Sequence, residues 1–203
     1  MQTLHIEPLI IKDVSQVAVI HWRELQGFLP SLGKQFLSHF YRKSMGLSGM
    51  FTFVAKEEEG VVGFVTSVES PKGLYGRILS IDPFGFLLLV VKHLIFYPLS
   101  IVKMIKILSY PGFSHDEPEL LTIAVDSRYQ GKGIGRKLFA QVVKEFKNRK
   151  INKFKISVYD KLAANGFYYK IGCRLDSSFE FLGETMNYYE YVIPNEVRNL
   201  SRM

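Results

Sequence analysis

The sequence predicts a mixed α/β fold, because β-rich runs and helical spacings alternate along it and no second apolar core separates from the first. Three observations carry this reading. Leu120-Leu121-Thr122-Ile123-Ala124-Val125 has the look of a buried strand, and a glycine-rich turn follows it. Leu138, Phe139, Val142, Val143 and Phe146 then fall on one face of a helix over about residues 133–149. Phe154–Tyr159 reads as a further strand. With 203 residues, 47% of them hydrophobic, the chain can bury one core and is neither disordered nor collagen-like.

From the N-terminus, Leu4–Ile10 is expected to be a short strand, and Asp13 to cap a helix whose apolar positions are Val14, Val17, Ala18 and Leu25. A second helix follows Pro30, with Leu32, Phe36, Phe40 and Tyr41 near helical spacing. Phe51–Ala55 and Val61–Val68 should pair as a hairpin about Glu57-Glu58-Glu59-Gly60, an acidic tip expected to meet solvent. Phe84–Val91 then carries no polar side chain, Lys92 and His93 interrupt it, and Leu94–Leu108 continues with Pro98 inside it. A spanning helix needs about 20 mainly apolar residues. The charges and Pro98 divide this stretch, so residues 84–108 are expected to form a hydrophobic insert of two helices, one mostly buried, that packs or covers substrate. On an idealised wheel Lys92, His93, Ser100, Lys103 and Lys106 nearly share one side, which makes weak contact with an anionic membrane surface the second reading. Ala163–Lys170 should be a short helix and Asn187–Ile193 a last strand, its Tyr188, Tyr189 and Tyr191 divided between pocket and core. The expected organisation is one domain over residues 1–193, followed by a flexible tail, 194–203.

The net charge is +7, and between Gly131 and Lys155 nine basic residues face one acidic residue, so anionic partners are favoured. The one cysteine, Cys173, excludes an internal disulfide and a cysteine metal cluster, and no metal is expected. The first residues lack a signal-peptide pattern, so the expected address is the cytoplasm, at most peripheral at a membrane.

The chemistry concentrates between Val125 and Leu138. Gly131, Gly133 and Gly135 lie between a strand and a helix, where missing side chains let anion oxygens approach the backbone N–H groups of a helix N-terminus. Neither a Walker loop nor a dinucleotide fingerprint is spelled there. On composition alone a tight turn without a ligand competes with a phosphate site.

Gln130-Gly131-Lys132-Gly133-Ile134-Gly135 resembles the (Gln/Arg)-x-x-Gly-x-(Gly/Ala) signature of the GNAT superfamily of N-acetyltransferases. Ala164-Asn165-Gly166-Phe167-Tyr168-Tyr169-Lys170-Ile171-Gly172-Cys173 resembles its second motif, an alanine before Phe-Tyr-x-Lys-x-Gly-Phe. The resemblance implies a six- or seven-stranded mixed sheet whose fourth and fifth strands splay, with acetyl-CoA wedged into the opening. Around the signature residue Gln130, backbone N–H groups of Gly131, Gly133, Ile134, Gly135 and Arg136 would hold the pyrophosphate, and Lys132 and Arg136 would add positive charge. The main chain of Ile123 and Val125 would pair with the pantetheine arm, the Val125 N–H being a donor to the thioester carbonyl. Tyr168 would protonate the departing thiolate. Glu119 would take the amine proton, with Glu117 and then His115 as weaker candidates for that base. Asn165 would either touch coenzyme A or act as a cap. Three departures stand beside the match: Ser127 in place of a frequent proline, Lys161 in place of a frequent asparagine, and Cys173 in place of the last Phe.

The implied function is acetyl transfer from acetyl-CoA to a primary amine, of a small molecule rather than a peptide. A catalytically silent acyl-CoA-binding or scaffold protein is the alternative. Nucleic-acid binding is disfavoured, since no helix-turn-helix pair or aromatic platform accompanies the basic helix. A homodimer stays open, through apolar surface on the insert.

Overall fold

The computed structural model describes residues 4–102, 116–181 and 183–194. The expectations for Lys103, Lys106, His115 and the tail beyond Pro194 lie outside these described residues. The elements run β1 (His5–Pro8), α1 (Val14–Glu24), α2 (Phe28–Ser31), α3 (Gly33–Ser44), β2 (Met50–Glu57), β3 (Gly60–Val68), α4 (Leu74–Ile81) and α5 (Pro83–Phe96). They continue with β4 (Glu119–Val125), α6 (Ile134–Asn148), β5 (Lys153–Tyr159), α7 (Ala164–Lys170), β6 (Arg174–Phe181) and β7 (Glu184–Val192).

The seven strands form one mixed sheet in the order β1-β2-β3-β4-β5-β7-β6. Neighbours are antiparallel except β4 and β5, which are parallel and pair only at Glu119–Lys155 and Leu120–Ile156. β4 continues to Val125 and β5 to Tyr159 without further pairing, so the sheet opens between them towards their C-terminal ends. Opposite, in the β3–β4 pairing, the register shifts so that Leu121 has no partner between Thr66–Thr122 and Ser67–Leu120. Such a bulge twists a strand away from its neighbour.

Apolar alternation fixes the two faces. Phe154, Ile156 and Val158 of β5 pack with Leu138, Phe139, Val142 and Phe146 of α6 in one core, while Val54, Phe64 and Val68 pack beneath α1, α3, α4 and α5 in the other. Burying such side chains stabilises by about 1.5–3 kcal/mol each. On that second face His21 Nδ1 and the Tyr41 hydroxyl share a 2.6 Å hydrogen bond. The His21 ring stacks on Phe64, and burial pushes its pKa down to about 4.

Several expectations need correction. Asp13 does not cap α1 with its side chain; its buried carboxylate pairs with Lys56 Nζ at 2.8 Å and accepts the Ile10 N–H at 3.3 Å. The acidic hairpin tip does meet solvent, Glu58 and Glu59 being exposed, and Glu59 also accepts a 2.9 Å bond from the Tyr129 hydroxyl. The insert is preceded by a helix, α4, that the sequence reading passed over, and α5 is not mostly buried: Phe86 is its one buried residue. The shared wheel of Lys92 and Ser100 does not form either, since α5 ends at Phe96, ahead of Pro98. β6 was also not foreseen; its side chains are mostly exposed, so no apolar alternation marks it.

Candidate active site

At the open end of the sheet the site is made of main chain. Gly131 and Gly133 both have φ of +77°, a left-handed conformation that L side chains rarely adopt, and open space lies where their Cβ atoms would be. Gly133 is the N-cap of α6, whose first amides have no acceptor within the helix. The buried side chain of Ile134 ties this turn to the core. The Asp126 N–H donates to Val62 O of β3 at 2.9 Å. Main-chain groups alternate along an antiparallel strand, so those of Val125 and Ile123 turn the other way, towards the gap. Gln130 Nε2 donates to the Val125 carbonyl at 2.9 Å, which leaves the Val125 N–H and the main-chain groups of Ile123 presented to the gap. Lys132 lies over the Tyr129 ring at 4.8 Å, and Arg136 stands in the first turn of α6.

At the closed end, side chains do the work. Glu119 is only 3% exposed and accepts one 2.7 Å hydrogen bond from Ser157 Oγ. Burial pushes its carboxyl up to about 7, against the opposing effect of that bond. Glu117, two residues earlier, is different: Lys153 Nζ lies 2.7 Å away, and this lysine first, with Lys155, holds its carboxyl below the ordinary value. Glu119, Glu117, Lys155, Asp176 and Tyr188 line a small pocket of about 50 Å³. Tyr75 of α4 stands near enough to feel the Glu119 charge, and burial, with that charge, pushes its phenol up to about 12. Tyr189 and Tyr191 belong to the core on the α6 side, and Tyr188 to the pocket.

Tyr168 is buried in α7 among the side chains of the α6-side core. Its ring packs against Phe167 and Tyr189, and burial raises its pKa well above that of a free phenol. No described residue hydrogen-bonds its hydroxyl. Glu119 therefore stands on the pocket side of the sheet and Tyr168 on the α6 side.

The sequence profile of the acetyltransferase (GNAT) family matches residues 16–173. This chain belongs to the GNAT family. No curated protein matches it in sequence. Its fold is shared with the ribosomal-protein-S18-alanine N-acetyltransferase of Escherichia coli, at 16% identity and a TM-score of 0.59 over 97% of this chain and 98% of that one. It is shared with PaiA N-acetyltransferase of Thermoplasma acidophilum, solved with coenzyme A, at 14% identity and a TM-score of 0.58 over 93% and 99%. The spermidine/spermine N-acetyltransferase SpeG of Vibrio cholerae gives 14% and 0.58 over 93% of both chains. At such identities the likeness is one of fold. Acetyl-CoA-dependent acyl transfer is the family's trait.

Set against the family pattern, the departures have local reasons. Ser127 occupies the proline position, and its N–H, which a proline lacks, donates to Glu24 Oε1 at 3.1 Å. The neighbouring Asp126 is held by Arg23 at 2.5 Å and Arg128 at 2.9 Å; chiefly the Arg128 bonds, then those of Arg23, keep its carboxyl well below the usual range. The end of α1 is thus fastened to the end of β4. Lys161 pairs with Glu184. Cys173 is buried, and burial pushes its thiol up to about 12, which fits packing and not nucleophilic work. Asn165 is fully engaged within the chain: its Nδ2 reaches the carbonyls of Tyr159, Asp160 and Leu162 at 2.7–2.9 Å, and its Oδ1 accepts from Asn187 and Tyr189 at 3.0 Å.

Sequence reasoning missed Ser157, Tyr75 and the Arg23–Asp126 pair. For Ser157 a signal existed: it is the polar alternate between the buried Ile156 and Val158, on the face of β5 that meets Glu119. For Tyr75 none did, since nothing marked α4. Among the described residues no group of His, Cys, Asp or Glu could hold a metal ion.

Proposed function

We propose that the protein transfers the acetyl group of acetyl-CoA directly to the primary amine of a small-molecule acceptor, with Glu119 as general base and Tyr168 as general acid. The observation that carries this assignment is a buried carboxyl with a pKa of about 7 at the closed end of the splayed strands. A base works best when its pKa lies near the working pH, and Glu119 is then both ionised in quantity and basic enough to take an amine proton. Tyr168, whose burial keeps the phenol protonated, suits the return of a proton to a departing thiolate. Acceptor and leaving group would lie on opposite sides of the gap, so one proton leaves at Glu119 while another is delivered at Tyr168. The N–C bond forms as the C–S bond breaks, and no covalent enzyme intermediate is needed.

The glycine turn fits a diphosphate. The first amides of α6, from Gly131 to Arg136, would grip it by charge-assisted hydrogen bonds, with Lys132 and Arg136 adding charge. When bound, acetyl-CoA would supply the acyl group as a thioester. The main-chain groups of Ile123 and Val125 would pair with the pantetheine arm, and the Ile123 N–H, the nearer of the two to Glu119 along β4, would meet the negative charge that grows on the carbonyl oxygen. Gln130 would hold the Val125 peptide in that orientation, and Asn165 would fix the loop from Tyr159 to Leu162 beside the cleft.

The pocket beside Glu119, about 50 Å³, has room for the amine group itself. The test is a screen of amines and short peptides with thiol release as the readout. Turnover is expected with a small amine, falling about a hundredfold or more in Glu119→Gln. A folded, coenzyme A-binding protein that acetylates nothing in the screen would instead be a silent acyl-CoA binder.

A further inference from the structure

Helix α5 is apolar on both sides: Phe86, Leu89 and Val90 face the core, and a second apolar stripe faces out. Phe84, Leu87, Leu88, Val91 and Ile95 recur at helical spacing and are all exposed, Phe84 by 83%, Leu88 by 70% and Ile95 by 71%. This is not a loosely attached segment. The opposite face is fastened to α3: Phe86 is buried against Phe36 and His39. Asp82 caps the helix at the Gly85 N–H, 3.0 Å away, and pairs with Lys43 Nζ at 2.9 Å. The outward stripe is therefore presented on a rigid support, and a continuous apolar face of this kind marks an interaction surface.

Charge decides what covers it. From Pro83 to His115 the sequence has no aspartate or glutamate, while it has three lysines, and the whole chain carries +7. Within the stripe the one charged side chain is Lys92, which also reaches Gln35 at 3.2 Å. A symmetric self-interface would set this patch against its own copy, bringing two like charges into an apolar contact that contains no carboxylate to pair them. An anionic lipid surface complements the same patch, apolar side chains entering the acyl boundary and Lys92 meeting headgroups. No single described helix is long and apolar enough to cross a membrane; α4 and α5 pass that test together but are bent by 103°. That bend suits a helix lying in the interface plane. We propose that the protein docks reversibly on anionic lipid bilayers through the outer face of α5.

Sedimentation of the full-length protein with vesicles tests this, comparing phosphatidylcholine alone with equal parts of phosphatidylcholine and phosphatidylglycerol. The wild type should bind the anionic vesicles and bind them less at high salt. The doubly substituted L88D/I95D chain, whose changes fall at exposed positions, should lose about tenfold or more of the vesicle affinity. Lys92→Glu should lose about fivefold. Near-identical circular dichroism spectra and coenzyme A titrations of all the proteins would show that they are folded. A folded wild type that ignores anionic vesicles would overturn the proposal. So would undiminished binding by L88D/I95D. A wild-type dimer that L88D/I95D converts to monomers, without vesicle binding by either, would assign the stripe to a second copy of the chain.

Discussion

The two ends of the gap between β4 and β5 are built from different parts of the polypeptide. In the proposed mechanism the groups that act at the open end are amides of Ile123, Val125 and residues 131–136, aimed by two glycines with φ of +77° and by one strand-to-helix junction. At the closed end the proposed base, Glu119 of β4, has surroundings brought from three other places, Ser157 of β5, Tyr188 of β7 and Tyr75 of α4. An amide is the same in every residue, so the open end depends on backbone conformation and tolerates side-chain change. The closed end depends on identity. Substitutions should therefore separate cofactor binding from acid-base chemistry.

The largest expected effect is that of Glu119→Gln, which should slow acetyl transfer by about 10²–10⁴-fold while coenzyme A affinity stays within about a factor of two. In the wild type kcat/KM should rise with pH through about 7, because the raised carboxyl must lose its proton to act as a base. That limb should vanish in the Gln variant, as steady-state pH profiles will show. Tyr168→Phe should cost about 10- to 100-fold in kcat with little change in Tm, since its hydroxyl has no hydrogen-bond partner among the described residues. If Tm falls sharply instead, the hydroxyl is structural and the comparison fails on that side.

Gly133→Val places a β-branched side chain at φ +77°, which should cost roughly 1–2 kcal/mol and weaken coenzyme A by about tenfold or more. Tyr41→Phe, on the face of the sheet away from α6, removes the partner of His21 Nδ1. It should lower stability by about 1–2 kcal/mol in urea melts and leave coenzyme A binding alone. The smallest effect concerns the clasp from α1 to β4. Asp126 has a folded pKa depressed below its unfolded value, so its stabilisation is present above about pH 4 and is lost as pH falls through the folded value. Arg23→Ala, which leaves the Arg128 bonds in place, should reduce that acid-sensitive part by under about 1 kcal/mol, read from melts over a pH series.

The same contrast explains what could be read from the amino-acid sequence. Gly131 and Gly133 are visible because a conformation restricted to glycine leaves glycines at fixed spacing, and the apolar face of α6 is visible through its period. Glu119 is favoured by its place at a strand start, with Glu117, on the same side of an extended chain, the weaker candidate. Only packing separates them, one carboxylate buried beside Ser157 and the other paired with Lys153. Ser157 and Tyr75 come from distant segments, and no local pattern joins them to Glu119. β6 and α4 escaped notice for opposite reasons: the first exposes nearly all its side chains, and the second is short and buries only Leu74 and Ile78. Helix α5 is legible as a helix, yet it is apolar on both faces, so composition cannot reveal which of them is left exposed.

The most direct test of the division between main-chain grip and side-chain chemistry is calorimetric titration of coenzyme A into the wild type, Gly133→Val and Glu119→Gln, with ATP as the control. Saturation is expected at one coenzyme A per chain without comparable ATP binding, with a loss of about tenfold or more in Gly133→Val and near-unchanged affinity in Glu119→Gln. Absent binding by the folded wild type, or equal losses in the two variants, would contradict that division.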